Sequence, residues 1–373
     1  MRLWIESAHQ SLVSTGAKVC GAAVSTFQTK EQFFAIMVSG AEKAAGGATP
    51  IANRAALLLE QGTPLDTVVE TLLAALPQGE HVPFSTLQVL EGSRAYLIDC
   101  DAPPLFMIRD GRLVVLPVIE EESHGHWVRR CEFLLQDGDH IAMVSEGYIR
   151  IKGWSWQWGW RDIATSIRRL TDTRCDAEQL LGALVRTYER LAQGEAIRDI
   201  SIVAMFVRPL RSATVWSGPP ANRQLEQAVL DKLMAEPGVR ILCGDTTAEI
   251  AARLLKAELT MEPPPEDGWA EVPPVSRLEG LSLVTEGVVT MGKARERMAK
   301  VQRVRDLPGQ EDGATRLARL LLAADKIHFL VGLAINPAQV ADKAGKVPLR
   351  RIVIEDLMTD LKARGKIVSV EYF

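Results

Sequence analysis

The first 210 residues combine short apolar runs with blocks of helical periodicity. The runs that predict strands occupy residues 33–38, 95–98, 105–108, 141–144 and 200–207, and turn residues bound most of them. Asp110 and Gly111 separate two apolar runs, which predicts a tight hairpin. Apolar residues recur with helical spacing over residues 51–61, 65–76, 161–170 and 177–191. This half is therefore predicted to be an α+β sandwich with helices inserted among antiparallel strands.

After residues 208–211 (RPLR), strands and helices alternate. Strands are predicted over residues 239–243, 281–284, 327–331 and 367–370, and helices over 246–255, 290–303, 312–324 and 350–364. Such alternation is typical of an open, mostly parallel α/β sheet, here expected to be Rossmann-like. We therefore expect two domains, residues 1–209 and 210–373, with a proline-rich surface loop over residues 261–274.

Composition narrows the class of protein. The 373 residues are 47% hydrophobic and 24% charged, which is enough apolar material for full-sized cores. Forty-three basic and 47 acidic residues give a net charge of −4, so no nucleic-acid partner is expected. Five dispersed cysteines without a CxxC motif predict reduced thiols, not a zinc site. Because the sequence has neither a signal peptide nor a membrane-spanning run, we expect a cytoplasmic protein that does not contact a membrane.

Five short segments together resemble one enzyme family. Residues 97–111 (LIDCDAPPLFMIRDG), 135–147 (LQDGDHIAMVSEG) and 198–204 (RDISIVA) resemble three motifs of SpoIIE-type protein phosphatases, members of the metal-dependent PP2C (PPM) superfamily. Those motifs are the strand–PP–strand–R(D/N)G hairpin, the L-x-x-G-D segment ending in (S/T)-D-G, and the closing D-D-(I/T)-T strand. Residues 20–22 (CGA) and 38–40 (VSG) stand where the family has G-D and D-G. The resemblance covers residues 1–208 and implies a β-sandwich flanked by helices, with αββα layering.

The resemblance also implies a chemistry and the residues that it needs. In the family, carboxylates bridge two Mn²⁺ or Mg²⁺ ions, which hold the water that attacks a phosphoserine or phosphothreonine. Such hard cations need oxygen ligands. The four positions where the family has metal-binding aspartates are Ala22, Ser39, Glu146 and Arg198 here. Alanine has no ligand atom, a serine hydroxyl is a weak ligand, and arginine keeps a permanent positive charge.

We therefore expect a pseudophosphatase that acts as a regulatory or scaffold subunit and uses no cofactor. The alternative is an active phosphatase that rebuilds its Mn²⁺ or Mg²⁺ site from Glu42, Glu146 and Asp199. Asp199 also has a structural interpretation as a turn or cap residue, and Glu146 has one as the ion-pair partner of Arg198. The expected partner is a protein. Relatives with this two-part layout are often encoded near iron-only hydrogenases, which implies a redox enzyme such as a hydrogenase.

Two further segments carry aromatic or metal-binding side chains. The four tryptophans within residues 154–160 are explained either by packing at a helix entry or by an exposed flap or partner contact. His124 and His126 follow the acidic run of residues 120–122, which fits either a metal-binding loop or a solvated loop.

In the second half, three polar loops that follow predicted strands are candidates for binding a small anion. Their residues are Gly244, Asp245, Thr246 and Thr247 in the first loop, Thr285 and Glu286 in the second, and Asn336 in the third. In an open parallel sheet, ligands bind at the carboxyl ends of the strands. Asp245 or Thr246 is expected to cap the following helix, and plain capping would explain the first loop. The functional alternative is a nucleotide or phosphometabolite sensor. The region resembles the C-terminal part of some SpoIIE-type proteins from anaerobic bacteria.

Overall fold

The structure, a computed structural model, describes residues 2–14, 20–41, 47–76, 81–149, 159–171, 175–192, 199–263, 272–334 and 349–373. The chain divides into two compact units, Met1–Pro209 and Leu210–Phe373. No helix among these residues is long and apolar enough to cross a membrane.

The first unit stacks two antiparallel sheets on one another. Because side chains alternate between the two faces of a strand, each sheet contributes every second residue to a shared core; Leu87 and Met205 are examples, one from each sheet. The first sheet has the order β1-β11-β10-β6-β7, with strands β1 (Leu3–Leu12), β6 (Phe106–Arg109), β7 (Arg112–Val114), β10 (His140–Val144) and β11 (Ile200–Pro209). The second has the order β2-β3-β4-β5-β9-β8, with strands β2 (Ala23–Gln28), β3 (Gln32–Val38), β4 (Phe84–Leu90), β5 (Arg94–Cys100), β8 (Ile119–Ser123) and β9 (His126–Leu134).

Helices cover both outer faces of this sandwich. Two pack on the second sheet and two on the first, so the layers are helix, sheet, sheet and helix, the αββα layering that the sequence resemblance implies. A fifth, α3, is a single turn after β10. The bounds are α1 (Thr49–Glu60) and α2 (Leu65–Ala75) on the second sheet, α3 (Glu146–Ile149), and α4 (Trp160–Thr171) and α5 (Ala177–Ala192) on the first.

The hairpin predicted from Asp110 and Gly111 is present. Strands β6 and β7 pair through Arg109 and Arg112, which leaves two residues in the turn. Both turn residues have positive φ, 48° for Asp110 and 68° for Gly111. That conformation suits the right-handed twist of the flanking strands, and aspartate and glycine adopt it most readily.

The second unit is a mostly parallel sheet with helices on both faces. Its five parallel strands lie in the order β16-β13-β12-β17-β18, which is 3-2-1-4-5 in chain order and typical of doubly wound sheets. These strands are β12 (Ser212–Ser217), β13 (Val239–Cys243), β16 (Leu283–Thr285), β17 (Lys326–Val331) and β18 (Ile367–Tyr372); β14 (Thr260–Met261) and β15 (Ser276–Arg277) extend one edge antiparallel. One face carries α6 (Glu226–Ala235) and α7 (Asp245–Leu255), and the other α8 (Val288–Ala299), α9 (Gly313–Ala323) and α10 (Leu349–Ala363).

The helix predicted over residues 290–303 is wrong at its end, because α8 stops at Ala299. The backbone N–H of Lys300 bonds the Arg297 carbonyl, and that of Val301 bonds the Met298 carbonyl, each at 3.2 Å. These bonds span three residues, so they tighten the last turn and end the α-helix.

Candidate functional site

The strand ends that carry the phosphatase-like motifs meet at one end of the sandwich. Ala22 precedes β2 and Ser39 follows β3, and these two strands pair with one another. Glu146 follows β10 and Asp199 precedes β11, which also pair. A hydrogen bond of 2.5 Å from the Gly21 backbone N–H to Asp199 Oδ2 joins the two pairs. Glu42 and Arg198 lie outside the described residues.

Asp199 holds the backbone at this point. The residue is only 7% exposed. Its Oδ1 accepts a hydrogen bond from the Ser14 N–H and its Oδ2 accepts one from the Gly21 N–H, both at 2.5 Å. Both oxygens are thus engaged by amide donors, as expected of a buried structural carboxylate. This geometry favours the structural interpretation of Asp199 over the metal-ligand one.

The other described positions do not supply the ligands that two divalent cations need. Ala22 is buried and ends in a methyl group, and Ser39 is buried and offers a neutral hydroxyl. Glu146 is half-buried at the start of α3 and is the one carboxylate among the four motif positions. Two-metal hydrolysis depends on carboxylates that bridge the ions. These residues therefore do not fit a pair of Mn²⁺ or Mg²⁺ ions.

Two other motif residues form an ion pair in which the carboxylate is buried and the arginine is partly exposed. Arg109, from the R-D-G hairpin, donates from Nε and Nη2 to the two oxygens of Asp139, each at 2.7 Å. The Asp139 side chain is fully buried and also accepts the Gln136 N–H at 2.7 Å. Such fork-shaped pairing is the strongest geometry for an arginine and a carboxylate. The pair joins two of the five motif segments and is structural.

Asp99 is a buried carboxyl group in the middle of the second sheet. It lies on β5 between Ser85 of β4 and Arg129 of β9, and it accepts hydrogen bonds from the Ser85 hydroxyl and the Arg129 guanidinium. Burial is the largest influence and raises the pKa of Asp99 from 3.8 to about 6, although both hydrogen-bond donors lower it. In the folded protein, this carboxyl therefore takes up a proton in mildly acidic solution.

The raised pKa of Asp99 predicts a loss of stability as pH rises. As the pH rises from 4 to 6.5, Asp99 loses its proton in the unfolded chain at a lower pH than in the folded protein. The bound proton therefore stops contributing to the free energy of folding, and the loss is on the order of 2 kcal/mol. Urea unfolding across this range is expected to show that loss in the wild type but not in Asp99→Asn. Asp110→Asn, at an exposed turn position, is the control and should follow the wild type. Parallel pH profiles for wild type and Asp99→Asn would contradict the assignment.

Among the described residues, one group of side chains has metal-ligand chemistry. It lies at the same end of the second sheet as Ser39, two strands further along, because Val38 pairs with Phe84 and Phe84 pairs with Cys100. Cys100, Asp101 and His126 place their ligand atoms within 4.8 Å of one another. Asp101 Oδ2 lies 2.8 Å from His126 Nδ1, and Asp101 Oδ1 accepts the Trp127 N–H. Burial, assisted by Asp101 and Asp99, raises the pKa of the Cys100 thiol to about 12. The sequence singles out His126 but not its partners, because Asp101 is 25 residues away.

Trp160 is the one tryptophan of the predicted aromatic segment that the structure describes. It begins α4, and its ring stacks on Phe106 with centroids 5.2 Å apart. This contact supports packing at the helix entry for Trp160. Trp154, Trp156 and Trp158 lie outside the described residues.

In the second unit, several predicted ligand residues are engaged by their own loops. The buried Thr247 hydroxyl accepts the Gly218 N–H at 3.0 Å, and the buried Thr285 hydroxyl donates to the Glu286 carbonyl at 2.8 Å. Glu286 Oε2 accepts the Thr290 N–H at 3.2 Å and so caps α8. These three side chains hold the loops in place. Asn336 lies outside the described residues.

The expectation that Asp245 or Thr246 caps α7 is wrong. The N-cap residue is Gly244, with φ 132°, and the described residues show no side-chain capping hydrogen bond from this position. Glycine adopts this φ without steric cost, so the chain turns from β13 into the helix with no room for a side-chain acceptor at that position. Asp245 and Thr246 are exposed. The first N–H groups of α7 therefore have no side-chain cap.

No family model and no curated protein matches the chain. Solved structures do match it. One is the phosphatase domain of the cell fate determinant SpoIIE from Bacillus subtilis, with 14% identity over 55% of this chain and 93% of that one, and a TM-score of 0.42. Another comprises the RsbU and RsbW domains of a Mycobacterium tuberculosis protein, with 15% identity, 61% and 67% coverage and a TM-score of 0.44. The PP2C domain of SiaA from Pseudomonas aeruginosa has 14% identity, 53% and 84% coverage and a TM-score of 0.41. These are SpoIIE and other PP2C phosphatase domains, the type that the sequence motifs resemble. At such identities and scores, the likeness carries no conclusion about activity.

Proposed function

We propose that the first unit is a pseudophosphatase, a phosphatase-like module that acts by binding and serves as a regulatory or scaffold subunit. The observation that carries this proposal is the set of residues at the four motif positions, Ala22, Ser39, Glu146 and Arg198. A single carboxylate among them could bridge two cations, but it cannot also supply the further oxygen ligands that each hard cation needs. Arg198 adds a charge of the same sign as the metal ions, and this charge is permanent.

The state of Asp199 supports the same proposal. An active site rebuilt from Glu146 and Asp199 would need the oxygens of Asp199 to turn toward a metal. Both oxygens instead accept backbone N–H groups. Breaking those bonds would leave the buried Gly21 N–H unsatisfied, at a cost of about 1–3 kcal/mol, and would also deprive the partly buried Ser14 N–H of its acceptor.

The proposal predicts that no Mn²⁺-dependent hydrolysis belongs to this site. With Mn²⁺ or Mg²⁺ present, the purified wild type is expected to hydrolyse a phosphoserine peptide or p-nitrophenyl phosphate no faster than Glu146→Ala does. An active PP2C-type phosphatase assayed in parallel provides the positive control. Metal-dependent turnover in the wild type that disappears in Glu146→Ala would instead support the rebuilt phosphatase.

The partner of such a subunit is expected to be a protein. A redox enzyme, such as a hydrogenase, is the specific candidate that the sequence resemblance implies, and it stays a prediction.

A second candidate function, ligand sensing, belongs to the second unit. We propose a Rossmann-like domain that binds a small anion such as a nucleotide or a phosphometabolite. The supporting observation is the strand order 3-2-1-4-5, because ligands of such sheets bind at the carboxyl ends of the strands, next to the switch point, here between β12 and β17. A thermal-shift screen of nucleotides and sugar phosphates is expected to give a hit that Thr246→Ala weakens. A screen without such a hit would count against this function.

A further inference from the structure

A buried arginine lies at the switch point of the second unit. Arg350, in the first turn of α10, is 7% exposed, and its Nη1 is buried without a hydrogen-bond acceptor among the described residues. Burial lowers the pKa of this guanidinium, which nevertheless keeps its charge. A buried charge without a counter-charge destabilises a fold. The positive end of the α10 dipole adds to that cost.

Gly218 defines where the guanidinium lies. A Cβ added to Gly218 would stand 1.8 Å from Nη1 of Arg350, so the guanidinium packs directly on the backbone just after β12. Gly218 has φ +83°, which also favours glycine at this position. The Gly218 N–H donates to the hydroxyl of Thr247 in the first turn of α7. Arg350 and the start of α7 therefore meet at the same glycine.

Each element that meets at Gly218 brings a positive charge, the guanidinium of Arg350 on α10 and the N-terminal end of the α7 dipole. The first turn of α7 follows Gly244 without a side-chain cap, and its N–H groups carry the positive end of the helix dipole. A glycine turn that leads from a parallel strand into a helix is a common phosphate-binding geometry. Two acidic side chains lie nearby: Asp245 is exposed in the first turn of α7, and Glu286 accepts the Thr290 N–H. Among the described residues, neither is bonded to Nη1 of Arg350.

We propose that Arg350 and the first turn of α7 together bind a phosphate group of a small molecule at the carboxyl ends of β12 and β13. This inference rests on the second candidate function and names its ligand class, phosphate esters and diphosphates. A phosphate group offers several oxygens, so it can accept from the fork of a guanidinium and from helix N–H groups at once. Binding supplies a counter-charge that none of the described residues provides to Arg350.

The variant Arg350→Met tests the site through two readouts of opposite sign. Without ligand, its melting temperature is expected to rise, because an unpaired buried charge is replaced by an apolar side chain of similar length. With inorganic pyrophosphate, the wild type is expected to show a concentration-dependent rise in melting temperature. Calorimetric titration should give at least a tenfold weaker affinity for Arg350→Met.

Arg351→Met is the matched control. It removes the same charge one residue further along α10, from a side chain that is exposed and bonded to Glu355 at 2.7 Å. Its affinity for pyrophosphate is expected to equal that of the wild type. If Arg350→Met does not fold, Arg350→Lys keeps the charge without the fork and should still bind at least tenfold more weakly.

The outcomes separate this inference from the function on which it rests. Affinity lost at Arg350 and kept at Arg351 supports the site. If a nucleotide or sugar phosphate binds the wild type and the Arg350 variants equally, the ligand-sensing function stands and the proposed site is wrong. If neither pyrophosphate nor any phosphate compound of the screen binds the wild type, both are overturned.

Discussion

Replacing Asp139 by alanine is expected to lower the free energy of unfolding of the first unit by about 2–3 kcal/mol, because it removes hydrogen bonds to a charged, fully buried carboxylate while the Arg109 side chain left behind is partly exposed. The substitution leaves the Arg109 guanidinium without its two bonds of 2.7 Å and the Gln136 N–H without its acceptor. Denaturant unfolding monitored by circular dichroism would measure the change.

Asp137→Ala is the matched control for that measurement. Asp137 belongs to the same turn but is exposed, so its replacement should change the free energy of unfolding by less than about 0.5 kcal/mol. Equal effects of the two substitutions would mean that the Arg109–Asp139 pair does not stabilise the fold.

Replacing Asp199 by alanine is the second large effect, a loss of about 3 kcal/mol that does not depend on metal. The loss is expected because the buried N–H of Gly21 and the partly buried N–H of Ser14 would both lose their charged acceptor. Unfolding in EDTA and unfolding in Mn²⁺ should give the same difference between Asp199→Ala and the wild type.

The dependence on Mn²⁺ separates the two roles of Asp199. A metal ligand contributes stability only when the metal is bound. A difference that appears in Mn²⁺ and vanishes in EDTA would therefore assign Asp199 to a metal site. Glu146→Ala, measured in the same two buffers, tests the other carboxylate of the candidate site.

Local sequence signals predict the elements whose conformation is decided locally. The Asp110–Gly111 turn follows from the φ preferences of its two residues. The strand β1 is not predicted, because polar residues interrupt its sequence, LWIESAHQSL, and it pairs with β11 almost 200 residues later in the chain. Its position depends on this long-range pairing, which a local pattern does not contain.

In the candidate sites, too, local motifs are predictable from the sequence and long-range contacts are not. The resemblance to a phosphatase family locates the four motif positions along the chain, but the amide donors of Asp199 come from Ser14 and Gly21, nearly 200 residues away. Arg350 has no motif at all. Arg350 is a candidate ligand residue because it is buried and because its Nη1 has no hydrogen-bond acceptor among the described residues. Both properties arise only when the chain folds.

The central claim is that the first unit has a phosphatase-like architecture without a two-metal centre. The most direct measurement is diffraction from crystals soaked in Mn²⁺, recorded at the manganese absorption edge. We expect no pair of anomalous peaks among Ser39, Glu146 and Asp199. Two peaks about 3.5–4 Å apart at that place, the spacing of a two-metal hydrolase, would contradict the claim.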